Sequence, residues 1–190
     1  MVDTISDSRA SVEVYRLLSR LWLREIDADL LSRLQSEPMR SALSELGMEV
    51  PASTVDELGI EYCRLFVGPR DHMPPVQSVW LRSELDTELT TSVRHYAELL
   101  GYGLYPQDMP DHLGVQLGLM AHAISLVEEN PGTQEYQEIA SDFFRRHLTW
   151  PTDLLQAVQK RSDASFYASL AAITQQFLKL EQVNSKHDAR

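Results

Sequence analysis

The sequence has a single cysteine, Cys63, among its 190 residues. One thiol cannot form an internal disulfide or a cysteine zinc cluster, which agrees with a reducing compartment. No apolar run approaches the roughly 20 residues that a membrane-spanning helix requires, so we expect no stable membrane insertion. The first seven residues are acidic and lack an apolar segment, unlike a secretory signal. These absences predict a cytoplasmic protein.

Basic residues are also few, because 17 Lys and Arg stand against 28 Asp and Glu and give a formal net charge of −11. A surface this acidic repels phosphate backbones, so nucleic acid is not an expected partner. The charge would attract a cationic partner, although physiological salt confines that attraction to about 8 Å. The negative charge is also compatible with a role in solubility alone, so attraction of a cationic partner and plain solubility both stay open.

Patterns of metal and cofactor ligands are missing as well. The six histidines are never part of Glu-x-x-His or His-Glu-x-x-His, so we predict no metal site. Gly101 and Gly103 lack the third glycine and the preceding strand of a dinucleotide-binding loop, and no cofactor is expected. Gly114 and Gly118, one helical turn apart, indicate close helix packing. Cys63 is interpreted as a half-buried apolar filler.

Apolar residues, by contrast, recur at helical spacing along nearly the whole chain, and no segment alternates as a strand would. We therefore predict an all-α fold, a bundle of about eight or nine helices. The bundle is expected to form one domain over residues 1–190, with an ordered core over about 7–183 and a polar tail over 184–190.

The expected helices are defined by caps and apolar stripes. Asp27 caps a short second helix, Pro38 begins a third, and Thr54 with Glu57 forms a capping box for the fourth. The residues expected to be buried are Val14, Leu17, Leu18 and Leu21; Leu30, Leu31 and Leu34; Leu58, Tyr62, Leu65 and Phe66; Leu85, Leu89, Val93, Tyr96 and Leu100; Leu113, Leu117, Met120, Ile124 and Val127; Ile139, Phe143 and Leu148; Leu154, Leu155 and Val158; and Phe166, Leu170, Ile173, Phe177 and Leu180.

Two proline-bearing segments interrupt the helices. The first, 67–78, contains one glycine and three prolines, and residues 74–80 are interpreted as an extended stretch that leads into a helix over about 80–100. The second ends at 108–111, where Asp108 is expected to cap the next helix. Long loops in compact domains are often functional. Trp80 is either ordinary core or the aromatic wall of a peptide groove, because tryptophan dominates binding energy where it is desolvated.

Asp111 and His112 stand at the start of the helix that follows this second segment. A carboxylate beside an imidazole could be an acid/base pair or a docking point for an arginine. Acids in a first helical turn are also favoured by the helix dipole alone. Adjacent helical residues point about 100° apart, which disfavours a catalytic relay. The spacing leaves these interpretations open.

Four stretches resemble, in order and spacing, the TorD/DmsD family of redox-enzyme maturation chaperones. The resemblance covers roughly residues 12–180. Asp108 departs from the family pattern, which commonly has glutamate at that position, a longer acid of the same charge. The four stretches are 62–69 (YCRLFVGP), 75–80 (PVQSVW), 108–113 (DMPDHL) and 143–150 (FFRRHLTW).

The resemblance implies an all-helical cytoplasmic chaperone that is not an enzyme and needs no cofactor. Such proteins bind the twin-arginine signal peptide of a molybdopterin-dependent oxidoreductase precursor and hold it until the cofactor is inserted. Some are monomers and some domain-exchanged dimers. Weak guanine-nucleotide binding is associated with the family, but this sequence has no phosphate cradle. The peptide-binding residues implied by position are Ser78, Trp80, Pro110, Asp111 and His112.

This hypothesis requires the segments around 78–80 and 110–112 to lie together on the helical body. Two alternatives remain open. One is a generic helical adaptor or scaffold with an unrelated protein partner. The other is a small acid/base enzyme that uses Asp111 and His112.

Overall fold

The computed structural model describes residues 2–48, 50, 52–81, 86–161 and 165–187. These residues form ten α-helices and one π-helical turn, Cys63–Val67, and no β-strand occurs among them. The all-α prediction is confirmed. None of the helices in this part of the chain is both long and apolar enough to cross a membrane. The helices are α1 (Val2–Leu23), α2 (Ala28–Gln35), α3 (Met39–Glu45), α4 (Val55–Tyr62), α5 (Gln77–Leu81), α6 (Asp86–Leu99), α7 (Leu113–Glu129), α8 (Gln134–His147), α9 (Thr152–Arg161) and α10 (Ser165–His187).

The helices group into two compact units, each built from two stretches of chain. Unit 1 comprises Met1–Leu23 and Val76–Trp150, and unit 2 comprises Arg24–Pro75 and Pro151–Arg190. The single domain over 1–190 stays a prediction.

Unit 1 is built around α7, which packs along α1 and against α8. Two glycines of α7 allow α1 to approach closely. A Cβ atom on Gly114 would lie 3.0 Å from backbone atoms of Leu23 and Ser19, and one on Gly118 would lie 3.0 Å from the Ser19 Oγ atom. The interpretation of this glycine pair as a packing feature is confirmed.

The buried face of α1 differs in part from the predicted stripe. Leu18 and Leu21 are buried as expected, whereas Val14 and Leu17 are only half-buried. Tyr15 and Trp22 are fully buried instead. These two aromatic residues are seven positions apart, so they share one helix face, and their large apolar area favours burial of that face.

Unit 2 contains the three caps that the sequence predicts. The Asp27 carboxylate accepts a hydrogen bond from the Leu30 amide at 2.8 Å and caps α2. Pro38 is the N-cap residue of α3. The capping box of α4 is complete, because the Thr54 hydroxyl accepts from the Glu57 amide and the Glu57 carboxylate accepts from the Thr54 amide. In the same unit, α9 packs against α10.

The last helix shows why one predicted core position is wrong. Leu180 is exposed, and Leu178 is buried instead. Leu178 follows Leu170 and Thr174 at intervals of four, and Thr174 can occupy a buried position because its hydroxyl donates to the Leu170 carbonyl at 2.7 Å. The backbone of α10 stays helical through His187, into the segment predicted as a tail.

Candidate functional site

The segment after the two adjacent prolines is helical and not extended as predicted. Of the stretch 74–80 that was predicted to be extended, only residues 74–76 are non-helical. The helix α5 begins at Gln77. Within the predicted helix over 80–100, residues 80–81 and 86–99 are helical, and residues 82–85, which include the predicted core residue Leu85, lie outside the described residues. The physical reason is a cap supplied by a distant segment, because the Gln77 amide donates to the Asp111 carbonyl at 2.9 Å.

Asp111 joins the two predicted segments in unit 1. Its Oδ2 atom accepts hydrogen bonds from the Ser78 hydroxyl at 2.7 Å and from the Ser78 amide at 3.2 Å. An isolated antiparallel bridge between Val76 and His112 flanks this contact. Asp111 is only 3% exposed. The requirement that these segments lie together is met by the geometry.

His112, and not Asp108, caps α7. The His112 Nδ1 atom accepts a hydrogen bond from the Gly114 amide at 3.0 Å. The prediction for Asp108 is wrong because the chain makes a further turn, in which the His112 amide donates to the Met109 carbonyl at 3.0 Å, before the helix begins. Asp108 instead accepts from the Tyr105 amide at 2.7 Å and closes the preceding turn.

The cap also fixes the protonation state of His112. An Nδ1 atom that accepts a hydrogen bond carries no proton, so the neutral ring has its proton on Nε2. Burial lowers the pKa of His112 to about 4, and the neighbouring Asp111 carboxylate only partly opposes this effect. Because Asp111 bonds Ser78 and His112 bonds Gly114, the two side chains are not arranged as a catalytic acid/base pair.

Exposed apolar residues lie close in sequence to both Ser78 and Asp111. Val79 and Leu81 of α5 are 52% and 50% exposed, and Met109 is 54% exposed. Trp80 is half-buried and Pro110 is buried. We call the surface formed by residues 78–81 and 109–112 the α5 face. Its exposed members are apolar, whereas the polar groups of Asp111 and His112 are used to hold it together.

Arg94 of α6 supports the loop that leads into this face. Its guanidinium donates from Nη2 to the Asp108 carbonyl at 3.3 Å and to the Pro106 carbonyl at 3.5 Å. Sequence reasoning missed Arg94, Val79, Leu81 and Met109. The run of three apolar residues after the two adjacent prolines was an available signal for the α5 residues, while nothing local in the sequence indicates the partner of Arg94.

No group of three or more metal-ligating side chains occurs among the residues that the structure describes.

Cys63 is exposed, so the interpretation as a half-buried filler is wrong. Its thiol, at the first residue of the π-helical turn, donates to the Glu25 carboxylate at 3.3 Å. This hydrogen bond, followed by partial desolvation and the charge of Glu25, raises the pKa of Cys63, which disfavours the reactive thiolate.

Comparison with known proteins shows the family to which the chain belongs. The sequence model of the family described as nitrate reductase delta subunit matches residues 32–155, which is more than half of the chain. The chain therefore belongs to this family of TorD-type chaperone proteins.

Individual relatives extend the similarity to nearly the full length. The chain is similar to chaperone protein TorD of Shewanella oneidensis, with 25% identity over 95% of this chain and 93% of that protein. It is 27% identical to chaperone protein TorD of Shewanella loihica, over 95% of each chain. The TorD protein of Colwellia psychrerythraea is 24% identical, over 93% of this chain and 92% of that protein.

Proposed function

We propose that this protein is a chaperone for the maturation of a molybdopterin-dependent oxidoreductase. In this proposal the α5 face binds the twin-arginine signal peptide of the precursor and holds it in the cytoplasm until the cofactor has been inserted. The family membership and the relatives named as chaperones support a role in protein maturation without catalysis.

The observation that carries the proposal is the contact between Ser78 and Asp111. It joins two segments that are 33 positions apart in sequence, and it leaves apolar side chains exposed on both of them. Monomeric proteins usually bury or scatter such side chains, so several around one contact are typical of a binding surface. An extended or helical apolar peptide is a suitable ligand for such a surface.

Most of the affinity should come from the apolar part of the signal peptide. Burying one leucine-sized side chain contributes about 1.5–3 kcal/mol before ordering costs. A partly exposed arginine–carboxylate pair contributes only about 0.2–1 kcal/mol. Two apolar contacts, for example with Val79 and Met109, would therefore outweigh the arginine contacts. Because the peptide must be ordered on binding, affinities in the micromolar to sub-micromolar range are expected.

Asp111 is not an exposed carboxylate with both oxygens available to an arginine of the peptide. Its Oδ2 atom already accepts two hydrogen bonds, and its side chain is nearly buried. An arginine of the peptide could reach only the other oxygen, Oδ1, for which no hydrogen bond is described. We therefore propose that Asp111 acts mainly by fixing α5, with any contact to arginine as a secondary contribution.

A titration tests the proposal. Fluorescein-labelled twin-arginine signal peptides of molybdopterin oxidoreductase precursors are titrated with wild type and with Met109→Ser, and binding is followed by anisotropy. We expect the variant to weaken binding about tenfold, because one apolar contact is lost. Ile60→Ser is the matched control, since Ile60 is 70% exposed but lies in unit 2. Equal affinity of wild type and Met109→Ser would contradict the assignment of the face.

A second experiment separates this proposal from a general adaptor. The tagged protein is purified together with a precursor and, in parallel, with the same precursor lacking its signal peptide. Loss of co-purification with the shortened precursor supports the proposal. Equal recovery of both would favour an adaptor that recognises another part of the partner. No observation in the structure favours the acid/base enzyme.

A further inference from the structure

Next to α5 lies a group of fully buried polar side chains that sequence reasoning did not identify. Gln77 is 1% exposed, Gln116 is 0% exposed and His147 is 1% exposed, and all three belong to unit 1. Buried polar groups destabilise a fold unless they are hydrogen-bonded, so each bond in this group has a structural consequence. None of these side chains is accessible to a bound peptide.

The orientation of both amides follows from one donor. The indole of Trp150 can only donate, and its Nε1 atom lies 2.8 Å from Oε1 of Gln116. The Nε2 atom of Gln116 must therefore point the other way, where it donates to Oε1 of Gln77 at 2.6 Å. The Nε2 atom of Gln77 then faces the Arg146 carbonyl, to which it donates at 3.1 Å. Every amide atom has a chemically suitable partner.

The same chain of donors assigns the proton of His147. Its Nδ1 atom lies 3.1 Å from Oε1 of Gln77, which can only accept, so Nδ1 carries the proton. Burial, followed by the charge of Arg146, lowers the pKa of His147 to about 4, so the ring is neutral near pH 7. The Nε2 atom therefore accepts, and the Ser92 hydroxyl donates to it at 2.9 Å.

We propose that Gln77, Gln116 and His147 form a buried lock that positions α5 and thereby sets the peptide affinity of the α5 face without touching the peptide. The inference rests on the proposed function. Gln77 is the first residue of α5, and its backbone amide donates to the Asp111 carbonyl while its side chain joins the lock. The first turn of the helix is thus held both by Asp111 and by the lock.

The start of α5 explains why such a lock is needed. Residues 74–76 before it are non-helical, so tertiary contacts must determine the position of its first turn. Apolar contacts are not directional, whereas hydrogen bonds fix both distance and angle. The lock connects α5 with α7 through Gln116 and with α8 through His147, and Ser92 extends it to α6. Loosening it should shift Val79 and Leu81 away from their binding positions.

The first test replaces one member of the lock. Gln116→Leu removes the donor to Gln77 and one of the two acceptors of the Trp150 indole, whose other acceptor is the His147 carbonyl. We expect peptide affinity to fall about tenfold, the effect of losing one or two oriented hydrogen bonds. We also expect faster hydrogen exchange of the amides in residues 77–81. Gln175→Leu is the matched control, because Gln175 accepts from Gln159 in a second glutamine pair that lies in unit 2. It should leave both measurements unchanged.

The second test is spectroscopic and does not depend on any peptide. Long-range ¹H–¹⁵N correlation spectra of the full-length protein distinguish a protonated Nδ1 from a protonated Nε2. Wild-type His147 should carry its proton on Nδ1. In Gln77→Met the acceptor for this proton is missing, so the proton should move to Nε2, the form that imidazoles prefer in water. A change in general stability alone would not move this proton.

The outcomes separate this inference from the proposed function. If wild type binds no signal peptide, the proposed function fails, and the exchange of 77–81 together with the His147 spectrum still decides whether the lock exists. If wild type binds and Gln116→Leu binds equally well with unchanged exchange, the lock is overturned while the function stands. A proton on Nε2 of wild-type His147 would also overturn the lock.

Discussion

At the scale of single residues, Asp111 shows how a side chain with an apparent chemical role is used as a structural connector. Its carboxylate and its carbonyl both accept hydrogen bonds from the first residues of α5. These bonds satisfy amides that a helix terminus otherwise leaves without partners. A hydrogen bond to a charged acceptor contributes about 1.5–3 kcal/mol, more than a neutral one.

The connection predicts that Ser78 and Asp111 are energetically coupled. Asp111→Ala should lower the free energy of unfolding by about 2 kcal/mol, because the Ser78 amide and hydroxyl lose a charged acceptor. Ser78→Ala in the Asp111→Ala background should then have little additional effect, which gives a coupling of about 1 kcal/mol. Urea unfolding followed by circular dichroism measures all four proteins of the cycle.

Asp108 provides the control for this cycle. It accepts from the Tyr105 amide and shares no hydrogen-bond partner with Ser78. The effects of Asp108→Ala and Ser78→Ala on the free energy of unfolding should therefore add. Simple additivity of Ser78→Ala with Asp111→Ala would show that the described contact does not stabilise the protein.

At the scale of elements, the close approach of α1 and α7 depends on glycine. The missing Cβ of Gly114 leaves room for the backbone of α1, and the Ser19 hydroxyl donates to the Gly114 carbonyl at 2.7 Å. A backbone contact cannot yield as a flexible side chain would, so any added atom must push the two helices apart. The first turns of α7, which begins at the α5 face, are thus held against α1.

Gly114→Ala should destabilise unit 1 by about 1–3 kcal/mol, because a methyl group 3.0 Å from backbone atoms of Leu23 forces the helices apart. The free energy of unfolding in urea gives the value. Gly103→Ala serves as the control, since a Cβ atom there would meet nothing within 4 Å. If both alanine variants were equally stable, the glycine would not be required for packing.

At the scale of the whole molecule, two neutral histidines, the half-buried His112 and the buried His147, connect folding with pH. The pKa values of His112 and His147 are both lowered to about 4, mainly by burial. The unfolded chain takes up protons on these rings near the ordinary value of about 6.5, whereas the folded protein does not. The free energy of unfolding should therefore be highest above pH 6.5 and fall as the pH decreases toward 4.

The slope of this decrease can be assigned to a single ring. Each histidine should contribute up to about 1.4 kcal/mol per pH unit between pH 6.5 and 4. His112→Asn removes one titrating group and keeps an N-cap, since asparagine is a preferred capping residue. Its stability near pH 7 should change by less than about 1 kcal/mol, while the pH slope becomes shallower. An unchanged slope in urea titrations at pH 4.5–6.5 would contradict the lowered pKa.

The parts of the fold that could be predicted are those whose interacting groups lie close together in the sequence. The caps at Asp27 and Thr54 were predictable because the interacting groups lie within three residues of each other. The start of α5 was not, because its cap comes from Asp111, more than 30 positions away. The prediction that Asp108 caps α7 was wrong for a similar reason. The spacing of acidic residues does not indicate the further turn that precedes this helix.

The sequence by itself determined the all-α class, the helix starts at Asp27, Pro38 and Thr54 and the role of the glycine pair, because helical periodicity and short-range hydrogen bonds involve residues that are close together in the chain. Only the tertiary structure decided that Asp111 holds α5, that His112 caps α7, and that Gln77, Gln116 and His147 bond to one another. These contacts join residues from different helices. Their energies depend on burial and on the direction of each donor, which a linear pattern does not contain.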